Sequence, residues 1–185
     1  NYSLYKYGGE ISISIFGIIN RVMMFALFPI MGITQGFLPI AGYNYGAKKY
    51  GRVKETIQKA IIYGCTIAGL IYVMIVLFAK EIISVFSTDA TLLAETPRAM
   101  LLVFLASPII AIQLIGSAYF QAAGKALPAL FLTLLKQGVF LIPLAYILPI
   151  YYGVDGVWYS FAIGDVLATI ITYIVVRREI KKNLQ

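Results

Sequence analysis

The sequence predicts an all-α, polytopic membrane protein with five transmembrane helices. Its 185 residues are 61% hydrophobic and only 12% charged, against about 45–50% apolar and roughly 25% charged in a soluble domain. The apolar residues lie in long blocks that suit a lipid solvent, and the basic residues collect between those blocks. The formal net charge of +7 therefore reads as loops facing an anionic leaflet. No basic face with interleaved aromatics is present, so the bilayer is an expected partner and nucleic acid is not.

The elements follow in order. Residues 1–10 are polar and glycine-containing, with no signal-peptide apolar region, and read as an extracellular loop in a chain that starts in mid-protein. Residues 11–185 make up the transmembrane bundle. Ile11 to Ala47 is too long for one simple span, roughly 55 Å if wholly helical. It reads as a kinked helix over about 11–41, bent by Pro29 and Pro39 and followed by a turn at Gly42-Tyr43-Asn44-Tyr45-Gly46. Ala60 to Ala79 and Ala99 to Phe120 carry no charge over 20 and 22 residues. At about 1.5 Å per residue each crosses a hydrocarbon core of ~30 Å. The fourth and fifth spans are 127–149, interrupted by Lys136 and Gln137, and 154–176, interrupted by Asp165. The connector Lys80 to Pro97 predicts a short interfacial helix, with Thr96-Pro97 as cap and first-turn proline of the third span.

Orientation follows from the distribution of Lys and Arg. Lys48, Lys49, Arg52, Lys54 and Lys59 crowd the first connector, Lys125 marks the third, and Arg177, Arg178, Lys181 and Lys182 close the chain. Five spans bring all of these to one side, which predicts an outside N-terminus and a cytoplasmic C-terminus in a multi-pass protein of the cell (inner or plasma) membrane.

The residue inventory restricts the chemistry. With no histidine and one cysteine, Cys65, there is no basis for a zinc triad, a disulfide framework, or Ser-His-Asp or Cys-His catalysis, and no metal ligands are expected. Groups titrating inside the membrane are carboxylates, lysines or tyrosines. On the first helix Gly17, Arg21, Phe28, Gly32, Gln35 and Pro39 share one face that is expected to point inward. Arg21 and Gln35 are polar contacts of a cavity wall, or else the face packs through its glycines while Arg21 snorkels or meets Glu10. Gln113 either lines a pathway or bonds across helices. Lys136 and Asp165 lie at nearly matching depths, about 12 and 16 Å from the same side of the membrane on antiparallel helices. They form a structural ion pair, or Asp165 carries a proton or cation with Trp158, Phe161, Thr169 and Thr172 on the same helix face.

The run Arg21 to Lys49, RVMMFALFPIMGITQGFLPIAGYNYGAKK, resembles the second helix and following loop of the C-terminal half of multidrug and toxic compound extrusion (MATE) transporters. SPIIAIQLIGSAYFQAAGKALPA is similar to the family's tenth helix, LLKQGVFLIPLAYILP to its eleventh and GVDGVWYSFAIGDVLATIITYIVV to its twelfth. A basic residue followed by Gln, here Lys136-Gln137, resembles the MepA-like branch. The resemblance implies helices eight to twelve of a twelve-helix transporter with two six-helix lobes. Residues 1–10 then hold the outer end of an otherwise missing seventh helix, and the N-terminal lobe is the implied partner. It also implies export of bulky, often cationic and aromatic drugs, hence antibiotic resistance and xenobiotic transport, by antiport against H+ or Na+ without a further cofactor. The family's C-lobe sodium site uses carboxylates on helices seven and ten. Pro97 to Ala123 contains none, so no such site is carried over.

The resulting expectation is a non-enzymatic secondary exporter working by alternating access. A flippase for lipid-linked saccharides calls for a more cationic cavity than Arg21 and Lys136 provide. A non-transporting membrane assembly subunit is the remaining alternative.

Overall fold

The computed structural model describes residues 2–183, and every regular element among them is helical. In order these are α1 (Tyr2–Gly46), α2 (Tyr50–Leu77), α3 (Ala79–Ser84), α4 (Ala90–Phe104), a 3-10 turn (Ser107–Ile109), α5 (Ile110–Ala122), α6 (Ala126–Leu134), a π-helical segment (Leu135–Leu141), α7 (Ile142–Tyr152) and α8 (Val154–Asn183). They compose five candidate membrane spans: α1, α2, α4 with α5, α6 with α7, and α8. The five-helix expectation holds, while several boundaries move for local reasons.

The opening segment is helical from Tyr2 rather than a loop, and the backbone breaks at Gly9 (φ 63°, ψ −162°). Glycine adopts that conformation without the steric cost that other residues meet there. Dihedrals stay helical through Pro29 and Pro39. The expected turn at Gly42–Gly46 is instead the last turn of α1, in which buried Asn44 donates from Nδ2 to the Ile40 carbonyl at 2.8 Å. The chain reverses at Ala47–Lys49, with Lys48 at φ 56°. The basic stretch that follows is already helix from Tyr50, with Lys59 2.7 Å from Glu55 one turn earlier. The short helix foreseen in the second connector is α3. The cap of α4 is Asp89, whose carboxylate accepts from the amides of Thr91 (2.8 Å) and Leu92 (3.1 Å). An ionised oxygen meeting two free amides caps better than the Thr96 hydroxyl, and Thr96-Pro97 is carried into the interior of α4, with Thr96 fully buried.

Two apolar clusters fill the bundle. At the α3 end, Ile15, Ile19 and Val22 of α1 meet Ile83, Met100 and Phe104, with Trp158 of α8. At the opposite, basic end, Phe37, Ile57, Ile115, Tyr119, Leu132 and Leu135 pack around Ala168 and Val176 of α8. A smaller knot of Ile30, Ala68, Ile110 and Ala111 forms a third cluster.

The helix α8 packs on α4, α5 and the α6–α7 span and leaves one face, through Ile163, Ile170 and Ile174, exposed. Two approaches to it are too close for a side chain. A Cβ on Gly156 would lie 2.5 Å from the carbonyl carbon and oxygen of Leu148, and one on Gly116 would overlap Cγ2 of Thr172. The ends of α8 are held by charge. Arg98 donates to Asp155 at 2.6 Å at the α3 end, and Lys125 donates to Glu179 at the basic end. That hydrogen bond pushes the Lys125 ammonium above its ordinary value. Its contribution is therefore complete across the neutral range and is lost only in strong alkali, as pH rises through the folded-state value.

Gly156→Ala is expected to lower the unfolding midpoint of the full-length protein in detergent, at a cost of about 1–3 kcal/mol from overpacking. Gly69→Ala, where a Cβ meets no atom within 4 Å, is expected to leave it unchanged or slightly raised. Equal melting of the two variants would contradict the packing described.

Candidate functional site

Asp165 sits midway along α8 with its side chain 7% exposed, and Lys136 reaches it from the neighbouring span at 2.6 Å, Nζ to Oδ1, with 20% exposure. A carboxylate in hydrocarbon is costly unless a positive partner accompanies it. The pair that matching depths predicted is present, and hairpin packing explains its register. Gly156 lies on Leu148–Pro149, and Gly164 faces Phe140 and Leu141. From those contacts Lys136 falls about one helical turn from Asp165, a distance its four-methylene stem covers.

The local backbone at Lys136 is π-helical, with the amide of Ile142 donating back to the Gln137 carbonyl five residues earlier. Pro143, next in sequence, has no N–H to give to the preceding turn, and a widened turn is one way to relieve that gap. The segment leaves Leu135 buried and Gln137–Val139 exposed. Along α8 the stripe through Asp165 continues to Thr169 and Thr172, both buried. The Thr172 hydroxyl donates to the Ala168 carbonyl at 2.8 Å. Toward the α3 end, Trp158 is buried and Phe161 stacks at 5.7 Å between ring centroids with Phe16 of α1.

The other candidate residues lie elsewhere. Gln113 of α5 is 5% exposed, and its Oε1 has no hydrogen-bond partner among the described residues. It faces the interior, and of the two roles weighed for it the cross-helix bond is not made through that oxygen. The seating of Gly116 on Thr172 brings the preceding turns of α5 and α8 alongside each other. Gln113 and Thr169, whose hydroxyl also lacks a partner, belong to those turns. The cross-helix bonding of α5 is made by Ser117, whose hydroxyl contacts that of Thr133 at 2.7 Å and donates to the Ala129 carbonyl.

On α1, the predicted face of Gly17, Arg21, Phe28, Gly32, Gln35 and Pro39 forms one stripe, but it is exposed and does not point into this bundle. The opposite face, with Ile15, Ile19, Ile30 and Phe37, is the more apolar and takes the packing. A Cβ on Gly17 or Gly32 would meet no atom within 4 Å, so these glycines are not contact points between the helices present. Arg21 forms no ion pair with Glu10 or any other described residue. The pairs at the two ends of α8 escaped sequence reasoning. Arg98 and Asp155 are 57 residues apart and Lys125 and Glu179 are 54 apart, and all four lie near span ends, where charges are ordinary.

The MatE family model matches residues 1–147. Multidrug export protein MepA of Staphylococcus aureus (strain NCTC 8325 / PS 47) is 30% identical over 173 residues, covering 91% of this chain and 37% of that protein. The solved structure of the MATE multidrug transporter DinF-BH shares 37% identity over 96% of this chain and 40% of its own, with a TM-score of 0.83. An outward-facing multidrug resistance MATE family transporter of the MOP superfamily matches in fold, with a TM-score of 0.92 at 24% identity over 97% of this chain and 41% of that one. The chain thus spans about two fifths of the length of the relatives it matches. With the family model covering most of the sequence and the fold reproduced helix by helix, this multi-pass membrane chain belongs to the MATE family.

Proposed function

We propose that the protein containing this lobe exports bulky cationic and aromatic compounds across the cell membrane, antiporting them against protons or sodium by alternating access. An N-terminal lobe packs opposite the one described, and the basic end of the bundle faces the cytoplasm. The observation that carries this reading is the exposed stripe of α1. It presents Arg21, Gln35 and Phe28, all exposed, with Phe28 meeting the ring of Phe25 edge to face at 6.0 Å. A single apolar helix face toward lipid would not carry an arginine and an amide at these depths. A surface shared with a second lobe would, since it borders a wet cavity suited to drugs that are part aromatic and part charged. The role is non-enzymatic, and Asp165 is the group of this lobe assigned to the coupling ion, with Lys136 as its counter-charge.

The direct test is drug-stimulated ion movement in vesicles holding the full-length protein. Aromatic cations are expected to discharge an imposed proton or sodium gradient, and absence of flux with every such compound would overturn the reading. Arg21→Ala and Gln35→Ala, both on an exposed surface, are expected to keep wild-type membrane levels and to raise the drug concentration for half-maximal flux by roughly 2- to 10-fold, the worth of one hydrogen bond.

Asp165→Asn is expected to impair coupled export or folding, and undiminished efflux at wild-type membrane levels would remove Asp165 from the mechanism. Asp165→Leu alone strands the Lys136 ammonium and is expected to cost about 3–5 kcal/mol. Adding Lys136→Met should recover most of that stability without recovering export. Recovery of both would reduce the pair to a structural one.

A further inference from the structure

The four cations closing α8 are more than the helix C-terminus requires for its dipole, and two of them border a cleft. Between α2, α5 and α8 at the basic end lies a cavity of about 360 Å3, walled by Ile61, Ile112 and Tyr173 and edged by Gln58, Arg177 and Lys181. Arg177 and Lys181 are four residues apart on one helix face, where like charges repel each other. The Arg177 guanidinium carbon lies 6.0 Å from the Tyr173 ring centroid, so the cation is drawn back over the cleft. No acidic side chain lines it, and Glu179, the acid on this stretch of α8, is engaged by Lys125.

The cleft changes character along its length. Tyr173 belongs to the apolar part of α8, whereas Arg177 follows Val176, where the apolar run of the last span ends. Its walls thus run from hydrocarbon depth to headgroup depth. A free inorganic anion would leave the apolar walls uncovered, and an uncharged lipid would leave two cations side by side without relief. A molecule with an acyl chain and a net negative headgroup satisfies both halves. No residue of α1 takes part, which sets the cleft apart from the exposed stripe given above to the transport cavity.

We infer that this cleft is a binding site for an anionic phospholipid, with the headgroup phosphate between Arg177 and Lys181 and within reach of the Gln58 amide, and an acyl chain along Ile61, Ile112 and Tyr173. The lipid bridges α2 and α8 at the membrane surface and so ties the stability of the lobe to the charge of the leaflet.

The test uses full-length protein in an uncharged detergent, with dioleoyl phosphatidylglycerol, dioleoyl phosphatidylcholine and inorganic phosphate as separate probes. Retained lipid is read by native mass spectrometry and stability by the unfolding midpoint. Phosphatidylglycerol alone is expected to be retained and to raise the midpoint. Arg177→Gln with Lys181→Gln is expected to weaken its retention roughly 20- to 30-fold, from about 1 kcal/mol per basic residue at the surface. Arg178→Gln with Lys182→Gln removes the same charge outside the cleft and should change retention less than about threefold. Ile61→Trp keeps both cations and fills the space of the chain, so it too should expel the lipid. Equal losses in the two double variants, full retention in Ile61→Trp, or an equal midpoint shift from phosphate alone would each overturn the site.

Discussion

The structure depends on a carboxylate that hydrocarbon cannot accommodate alone. Asp165 is buried in the middle of α8, and the nearest cation is Lys136 at 2.6 Å. Keeping them together restricts how far the α6–α7 span can slide along α8, because a shift of one turn, about 5.4 Å, would part the charges. The same helix carries Asp155 and Glu179, which bind Arg98 and Lys125 at its two ends. Every inter-helix ion pair among the described residues thus has its acid on α8 and its base on another element. Hydrophobic burial gives little register between helices in lipid, since sliding one apolar face on another changes little. Charges at three heights, with the close approaches at Gly116 and Gly156, supply it.

α1 has a different division of labour. Its apolar face packs on α2, α4 and α5, and its exposed face carries the polar and aromatic residues. The glycines of that exposed face meet no neighbouring atoms, whereas Gly116 and Gly156 have no room for a methyl. Equal residue types thus serve opposite ends: absence of bulk at a surface in one place, and contact between backbones in the other.

Five uncharged or nearly uncharged blocks were legible because a bilayer imposes a minimum length on any span. The Lys136–Asp165 pair was legible because helical rise converts sequence position into depth and unpaired intramembrane charge is so unfavourable. The sidedness of Gly17, Arg21 and Gln35 was legible from the 3.6-residue period. Which side faced neighbours was not, because the period gives an angle without naming what lies there. Boundaries set by competition were also hidden. Asp89 outcompetes Thr96 as a cap, and α1 runs on as helix through its glycine-rich end to Gly46, where composition pointed to a turn. Gln113 illustrates a further limit: a lone amide in a span looks alike whether it is partnered or, as here, has a buried oxygen without a donor.

Beyond the break at Gly9 near the start of α1, the irregular backbone described within the spans lies in two places. The 3-10 turn at Ser107–Ile109 follows from Pro108, and the π segment at Leu135–Leu141 precedes Pro143. Both border the same part of α8. Pro108 and Ile109 share a cleft of about 330 Å3 with Ala162, Ile163 and Val166, and Phe140 and Leu141 face Gly164. In lipid, a departure from the α-helical ladder frees carbonyl and amide groups that have no solvent to turn to, so it persists where protein or a polar cavity takes them in. Both departures thus flank the level of Asp165, so the buried charge sits beside the two interrupted helical ladders. The two helices beside that carboxylate are the ones whose hydrogen-bond ladders depart from the α-helical pattern, each at a proline that cannot donate to the preceding turn.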